Sequence, residues 1–120
     1  MKKELRLKKS HEIASIVNAR KKVVNKNFII YYRKNNTKEN RFAFSVSKKY
    51  GHAFERNKAK RISRNVFRKL TNVCSGVDFV IVIKKEFKKA NYLELEKEGK
   101  FLIELVDKRV KENKNDIKKI

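Results

Sequence analysis

Phe44-Ser45-Val46-Ser47-Lys48-Lys49-Tyr50-Gly51-His52-Ala53-Phe54-Glu55-Arg56-Asn57-Lys58-Ala59-Lys60-Arg61-Ile62-Ser63-Arg64 changes its hydrophobic period in mid-course. From Arg41 to Ser47 the side chains alternate, with Phe42, Phe44 and Val46 toward a core and Arg41, Ala43, Ser45 and Ser47 on the other face. That pattern predicts a half-buried strand whose small residues leave an open floor. Beyond Lys48-Lys49-Tyr50-Gly51 the spacing of Ala59, Ile62, Val66, Phe67 and Leu70 predicts an amphipathic helix from about Ala53 to Leu70.

The polar face of this helix carries Asn57, Lys60, Arg61, Arg64 and Arg68 at three- and four-residue spacings, flanked by Arg56 and Lys58. Seven of the fourteen residues from Arg56 to Lys69 are basic and none is acidic, so like charges meet along the helix without relief. Each such pair costs about 0.2–0.5 kcal/mol in water, and a phosphate backbone reverses the sign. Arginines grip phosphates bidentately, and asparagine both donates and accepts. An ordinary solvated face mixes both signs, which this one does not.

Upstream, Ser10 is placed to cap a short helix in which Ile13, Ile16 and Val17 recur on one face, with Glu12 near its positive end. Val23-Val24 and Phe28 to Arg33 read as extended chain, with Phe28, Ile30 and Tyr32 on one face and Ile29, Tyr31 and Arg33 on the other. Downstream, Phe79 to Ile83 is an unbroken apolar run, typical of a central strand buried on both faces. Asn91 with Glu94 starts a last helix with Leu95, Leu102, Leu105 and Val106 on its apolar side; Gly99 weakens it. The order predicts an α/β sandwich, helices packed on a small mixed sheet.

One domain of residues 1–110 suits this length, with residues 111–120 as a polar tail expected to be disordered. No internal repeat or Gly/Ser/Pro linker divides the chain. The 34 basic against 13 acidic residues give a formal charge of +21. Residues 1–85 hold 24 basic and 5 acidic residues, and residues 86–120 hold 10 and 8, so the polyanion must lie against the first two-thirds. No apolar run reaches a membrane span and no signal-like segment follows the first lysines, which predicts a cytoplasmic protein with no membrane partner. Cys74 stands alone and reads as a small inert hydrophobe, while His11 and His52 lack metal-ligand spacing. No metal ligands and no catalytic residues are assigned.

The long stretch quoted first closely resembles the signature of the bacterial ribonuclease P protein family. It joins the strand, the Lys-Lys-x-Gly-x-Ala connection and the Arg-Asn-x-x-Lys-Arg-x-x-Arg helix in one register. Arg6-Leu7-Lys8-Lys9, the strand from Phe28 to Tyr31 and Asp78-Phe79-Val80-Ile81-Val82-Ile83 before Lys84 extend the likeness over roughly residues 4 to 108. The resemblance implies a two-layer α/β (α+β) sandwich with three helices on a mixed four-stranded sheet, in the order α-β-β-β-α-β-α. It also implies a left-handed crossover through the basic helix, against the usual hand, in a fold shared with a domain of a small-subunit ribosomal protein.

Functionally, the resemblance implies the accessory subunit of a ribonucleoprotein endonuclease that removes the 5′ leader of precursor tRNA. The catalytic site and its Mg2+ ions would belong to a large RNA, not to protein side chains. Arg56, Asn57, Lys58, Lys60, Arg61, Arg64 and Arg68, with Lys48 and Lys49 before them, would face that catalytic RNA. A cleft between the first helix and the sheet would hold the single-stranded leader, with Tyr31 matching the family's cleft tyrosine and Arg33 on the same strand face. Ile13 and Val17 stand where aromatic residues are common, His52 replaces the usual Asn, and Lys84 stands where Arg is frequent.

Two other classes compete. A protein nuclease would need clustered carboxylates or a histidine pair, whereas Glu4, Glu12, Glu39, Glu55 and Asp78 are scattered. A ribosomal-type RNA-binding protein or a DNA-binding helix-turn-helix protein is the non-catalytic alternative. The latter places another helix, not a strand, before its recognition helix, so DNA is not the expected partner.

Overall fold

The computed structural model describes residues 6–119, with side chains as far as Glu112. The first five residues of the expected domain and the end of the expected tail lie outside the described residues. Helix α1 spans Ser10–Asn18, strands β1, β2 and β3 span Lys22–Val24, Phe28–Lys34 and Arg41–Val46, and helix α2 spans Ala53–Arg68. Strand β4 covers Val77–Ile83 and helix α3 covers Tyr92–Lys119. Two 3-10 turns, Lys48–Tyr50 and Lys85–Lys89, precede α2 and α3. Among the described residues the fold is therefore three helices on one four-stranded mixed sheet, as expected.

The sheet order is β1-β2-β4-β3. Strand β4 pairs antiparallel with β2 and parallel with β3, and this central place explains its unbroken apolar run. The β1–β2 connection is fixed by Asn25, whose Oδ1 accepts from the amides of Asn27 (3.0 Å) and Phe28 (2.7 Å). Before β4, Gly76 has φ +73°, and a Cβ there would collide with the Thr37 carbonyl oxygen. Asn40 pins the same turn: its side chain donates to the carbonyls of Thr71 and Cys74 and accepts from the Val77 amide.

Side-chain alternation divides the apolar residues between the two faces. Phe28, Ile30, Phe42, Phe79 and Ile81 meet Val66 and Phe67 of α2 and Leu95, Leu102, Ile103 and Val106 of α3 in the main core. Phe28 sits edge-on to Phe67 at 5.2 Å, and Phe42 stacks on Phe79 at 5.0 Å. Gly99 is where α3 crosses α2, since a Cβ there would lie 3.0 Å from Val66 Cγ1. The glycine permits the close approach and is more than a weak point in the helix. On the opposite face α1 covers a smaller cluster, with Leu7, Ile16 and Val80 buried. Burial of Ile16 contributes about 1.5–3 kcal/mol to holding α1 down.

One expectation is corrected. Ser10 is the first helical residue and Lys9 the cap, because the Lys9 carbonyl already accepts from the Ile13 amide at 3.1 Å. The chain is committed early there, since the Leu7 amide donates to the Phe42 carbonyl at 2.8 Å. The expected domain boundary at residue 111 falls within an element. Helix α3 passes through it, and Lys111 Nζ lies 3.0 Å from Asp107 Oδ2 one turn earlier.

Candidate nucleic-acid interface

Helix α2 is held by its apolar stripe, so its cationic face points away from the sheet. Tyr50, buried in the 3-10 turn, anchors the entry to the helix and leaves Lys48 and Lys49 exposed ahead of it. Asn57, Lys58, Arg61 and Arg68 are exposed, while Arg56, Lys60 and Arg64 are half-buried along the flank. Arg56 donates to the Gly51 carbonyl at 3.1 Å. The Arg64 guanidinium lies 5.9 Å from the Phe44 ring, a cation–π contact that leans it toward β3.

The acid of this helix is turned inward to its own backbone. Glu55 accepts from the His52 amide at 3.2 Å and pairs with Lys88 at 3.2 Å. The His52 amide and then Lys88 hold the Glu55 carboxyl below its ordinary range. Ion pairs among the described residues fall on Arg33, Arg41, Lys69, Lys88 and Lys111. Arg56, Lys58, Lys60, Arg61, Arg64 and Arg68 have no carboxylate within 4 Å among those residues. Sequence reasoning placed Asn57, Lys60, Arg61, Arg64 and Arg68 on one face with Arg56 and Lys58 flanking it, and the structure carries all seven on the one helix.

The residues expected to line a cleft lie on the other face of the sheet. Tyr31 is half-buried and, with Ile13 and Val17 of α1, Ala43 and Val82, packs against the cluster of Leu7, Ile16 and Val80. Lys22, directly opposite Tyr31 across the β1–β2 pair, holds its ammonium 5.8 Å from the tyrosine ring. Arg33, two residues on, donates to Ser15 Oγ of α1 at 3.1 Å and lies 3.8 Å from Asp78. It therefore forms an end wall tying α1 to the sheet.

Asp78 is the residue that sequence reasoning undervalued. Arg33, Asp78 and Arg41 form one row across β2, β4 and β3. The buried carboxylate accepts a bidentate pair from Arg41, 2.8 Å at each oxygen, and a bond from Asn35 at 2.9 Å. Its bond to Arg41 holds that guanidinium above its usual range. Arg41 also lies 3.7 Å from Glu12, so α1 is tied to this row by two residues. The flanking arginines were the available signal, since a lone acid in an apolar strand must find cations in register.

Among the described residues, no three His, Cys, Asp or Glu side chains gather as a metal site, and no helix is long and apolar enough to cross a membrane. Cys74 is buried, and desolvation pushes its thiol up to about 12, so it is no thiolate nucleophile.

A family profile described as Ribonuclease P matches residues 1–107. The ribonuclease P protein component of Phytoplasma australiense is 42% identical over 97 residues, covering 79% of this chain and 84% of that protein. The component from Streptococcus agalactiae serotype III is 38% identical over 97 residues, covering 81% and 89%. The solved RNase P protein of Thermotoga maritima matches with a TM-score of 0.75 at 29% identity, covering 82% of this chain and 94% of that one.

Proposed function

Because the chain belongs to the ribonuclease P protein family and is thus the accessory subunit of the endoribonuclease that matures tRNA 5′ ends, we propose that α2 seats the catalytic RNA. Lys48 and Lys49, then Arg56, Asn57, Lys58, Lys60, Arg61, Arg64 and Arg68, meet its phosphates. The cleft under α1 takes the single-stranded 5′ leader of precursor tRNA, a base against Tyr31 with Ile13 and Val17 lining the wall. Residues 1–110 act as one RNA-binding domain of a cytoplasmic assembly.

The observation that carries this reading is the run of cations on α2 that no carboxylate among the described residues neutralises. Such a face is self-repelling alone and favourable only against a polyanion. Strong binding requires the polyanion to match an extended helix face, as structured RNA does. The Mg2+ ions of cleavage fit the RNA better than this protein, whose buried carboxylate Asp78 is already occupied by Arg41 and Asn35. Protein cations would screen the assembly so that the RNA can hold its ions at low Mg2+ concentration.

The test is the salt dependence of binding to a ribonuclease P RNA. Arg61→Ala and Arg64→Ala should each weaken affinity and flatten the log–log slope by about one unit for each phosphate no longer neutralised. Unchanged slopes in both variants would rule out phosphate binding by this face.

A further inference from the structure

A groove of about 500 Å3 opens where the N-terminal turns of α2 and α3 meet the Lys85–Lys89 turn. That volume is in the range of pockets that hold small planar ligands. Tyr50 and Phe87 form its buried floor, Phe54 and Tyr92 its walls, and Lys58 and Lys88 its rim. Phe54 is 73% exposed, an unusual position for a phenylalanine with no packing role. Its ring is nonetheless supported, since His52 stacks parallel to it at 5.9 Å, an interplanar angle of 9°. Lys88 lies 4.8 Å from the Tyr50 ring and is held there by Glu55, so the rim cation is fixed in place.

Aromatic walls with a cationic rim match an unpaired nucleotide: a π-face for the base and ammonium groups for the phosphates on either side. An apolar protein segment would use the walls but not the rim, and Glu55 is already occupied by Lys88 and the His52 amide. The groove is also continuous with the cationic face of α2, because Lys58 belongs to both. We propose that this groove receives one extruded base of the catalytic RNA, laid against Phe54 and Tyr92, with its neighbouring phosphates on Lys58 and Lys88. The proposal rests on the reading of α2 as the seat of that RNA, and it adds an interaction of a different kind, stacking in place of charge.

The difference in kind makes it testable with the full chain and a bacterial ribonuclease P RNA. Phe54→Ala removes an exposed ring and leaves the core untouched. It should weaken binding to the RNA alone by about five- to a hundredfold, the effect of removing one base stack, with the salt slope unchanged. Phe101→Ala, 65% exposed on α3 and outside the groove, should change nothing. Irradiation at 254 nm should attach a nucleotide of that RNA to Phe54 or Tyr92.

Unchanged affinity in Phe54→Ala would overturn the proposal, as would an equal loss in Phe101→Ala. A loss seen only when precursor tRNA is added would assign the groove to the substrate and overturn the source named here. If sedimentation shows the protein self-associating and Phe54→Ala abolishes that with RNA affinity intact, the groove is an interface between copies instead. Loss in Arg61→Ala and Arg64→Ala without loss in Phe54→Ala sinks the groove alone. The converse sinks the α2 reading and leaves the groove standing.

Discussion

The outer face of α2 and the row beneath α1 use the same side chains to opposite ends. Under α1, Arg33 and Arg41 converge on Asp78, with Glu12 and Ser15 reaching down from the helix. On α2, six cations stand without a carboxylate within ion-pair distance among the described residues. The role of an arginine in this chain is therefore decided by where acids have been placed. Near Asp78 the guanidinium is structural, and without such a partner it is available to a phosphate. Packing of Val66 and Phe67 in the main core offsets the self-repulsion of α2, so the face can remain unneutralised in the free protein.

Stability should separate the two regions most sharply. Asp78→Ala strands Arg41 beside a buried strand and unties α1, and is expected to cost about 3 kcal/mol. That is the low end for breaking a buried pair, because both arginines can turn toward water. Arg61→Ala with Arg64→Ala should change stability by about 0.5 kcal/mol or less, as expected for surface residues. Urea midpoints of the two variants would measure this. A small loss in Asp78→Ala, equal to that of the double variant, would break the distinction.

Tyr31→Ala comes next, and probes binding on the α1 side of the molecule. Removal of one base stack predicts about 1–3 kcal/mol weaker binding of leader-bearing precursor, with affinity for mature tRNA unaffected. Equal loss for both ligands would remove the leader from the cleft.

How far these regions could be read beforehand follows from the range of the interactions. Strand β4 is an unbroken apolar run and the stripe and cationic face of α2 are periodic, and both signals are local, so both were legible in residue order alone. The Asp78 row was not, because its partners Asn35 and Arg41 lie 43 and 37 residues away and meet it only through strand register. Tyr50 and Phe87 sit in 3-10 turns too short to show a period, so the groove they floor was equally hidden. Tyr31, Ile13 and Val17 were named through family likeness, and the residue pattern alone left Tyr31 undecided between core and cleft.

A more direct way to sharpen the contrast is to give α2 the acid that the α1 side has. Asn65→Glu places a carboxylate on an exposed position one turn after Arg61 and one turn before Lys69. Free-protein stability should rise by about 0.2–0.5 kcal/mol for each pair formed. Affinity for the catalytic RNA should fall, with the salt slope flattened by about one unit as one cation is withdrawn from phosphate. Tighter RNA binding would mean that the missing carboxylates have no bearing on function.

The smallest effect belongs to Glu55, the acid that α2 does carry. Its carboxyl is held below the ordinary value of 4.5 by the His52 amide and Lys88. A lowered folded-state value means that the stabilisation is fully present above the unfolded value and is lost as pH falls through the folded one. Wild type should therefore be slightly more stable than Glu55→Gln near neutral pH, and the two urea midpoints should converge as pH falls below 4.5. Because Glu55 pairs with Lys88, which the groove offers to a phosphate, Glu55→Gln should steepen the salt slope of RNA binding by no more than about one unit. An unchanged slope in Glu55→Gln would show that Lys88 meets no phosphate, and the cationic surface would then end at α2 itself.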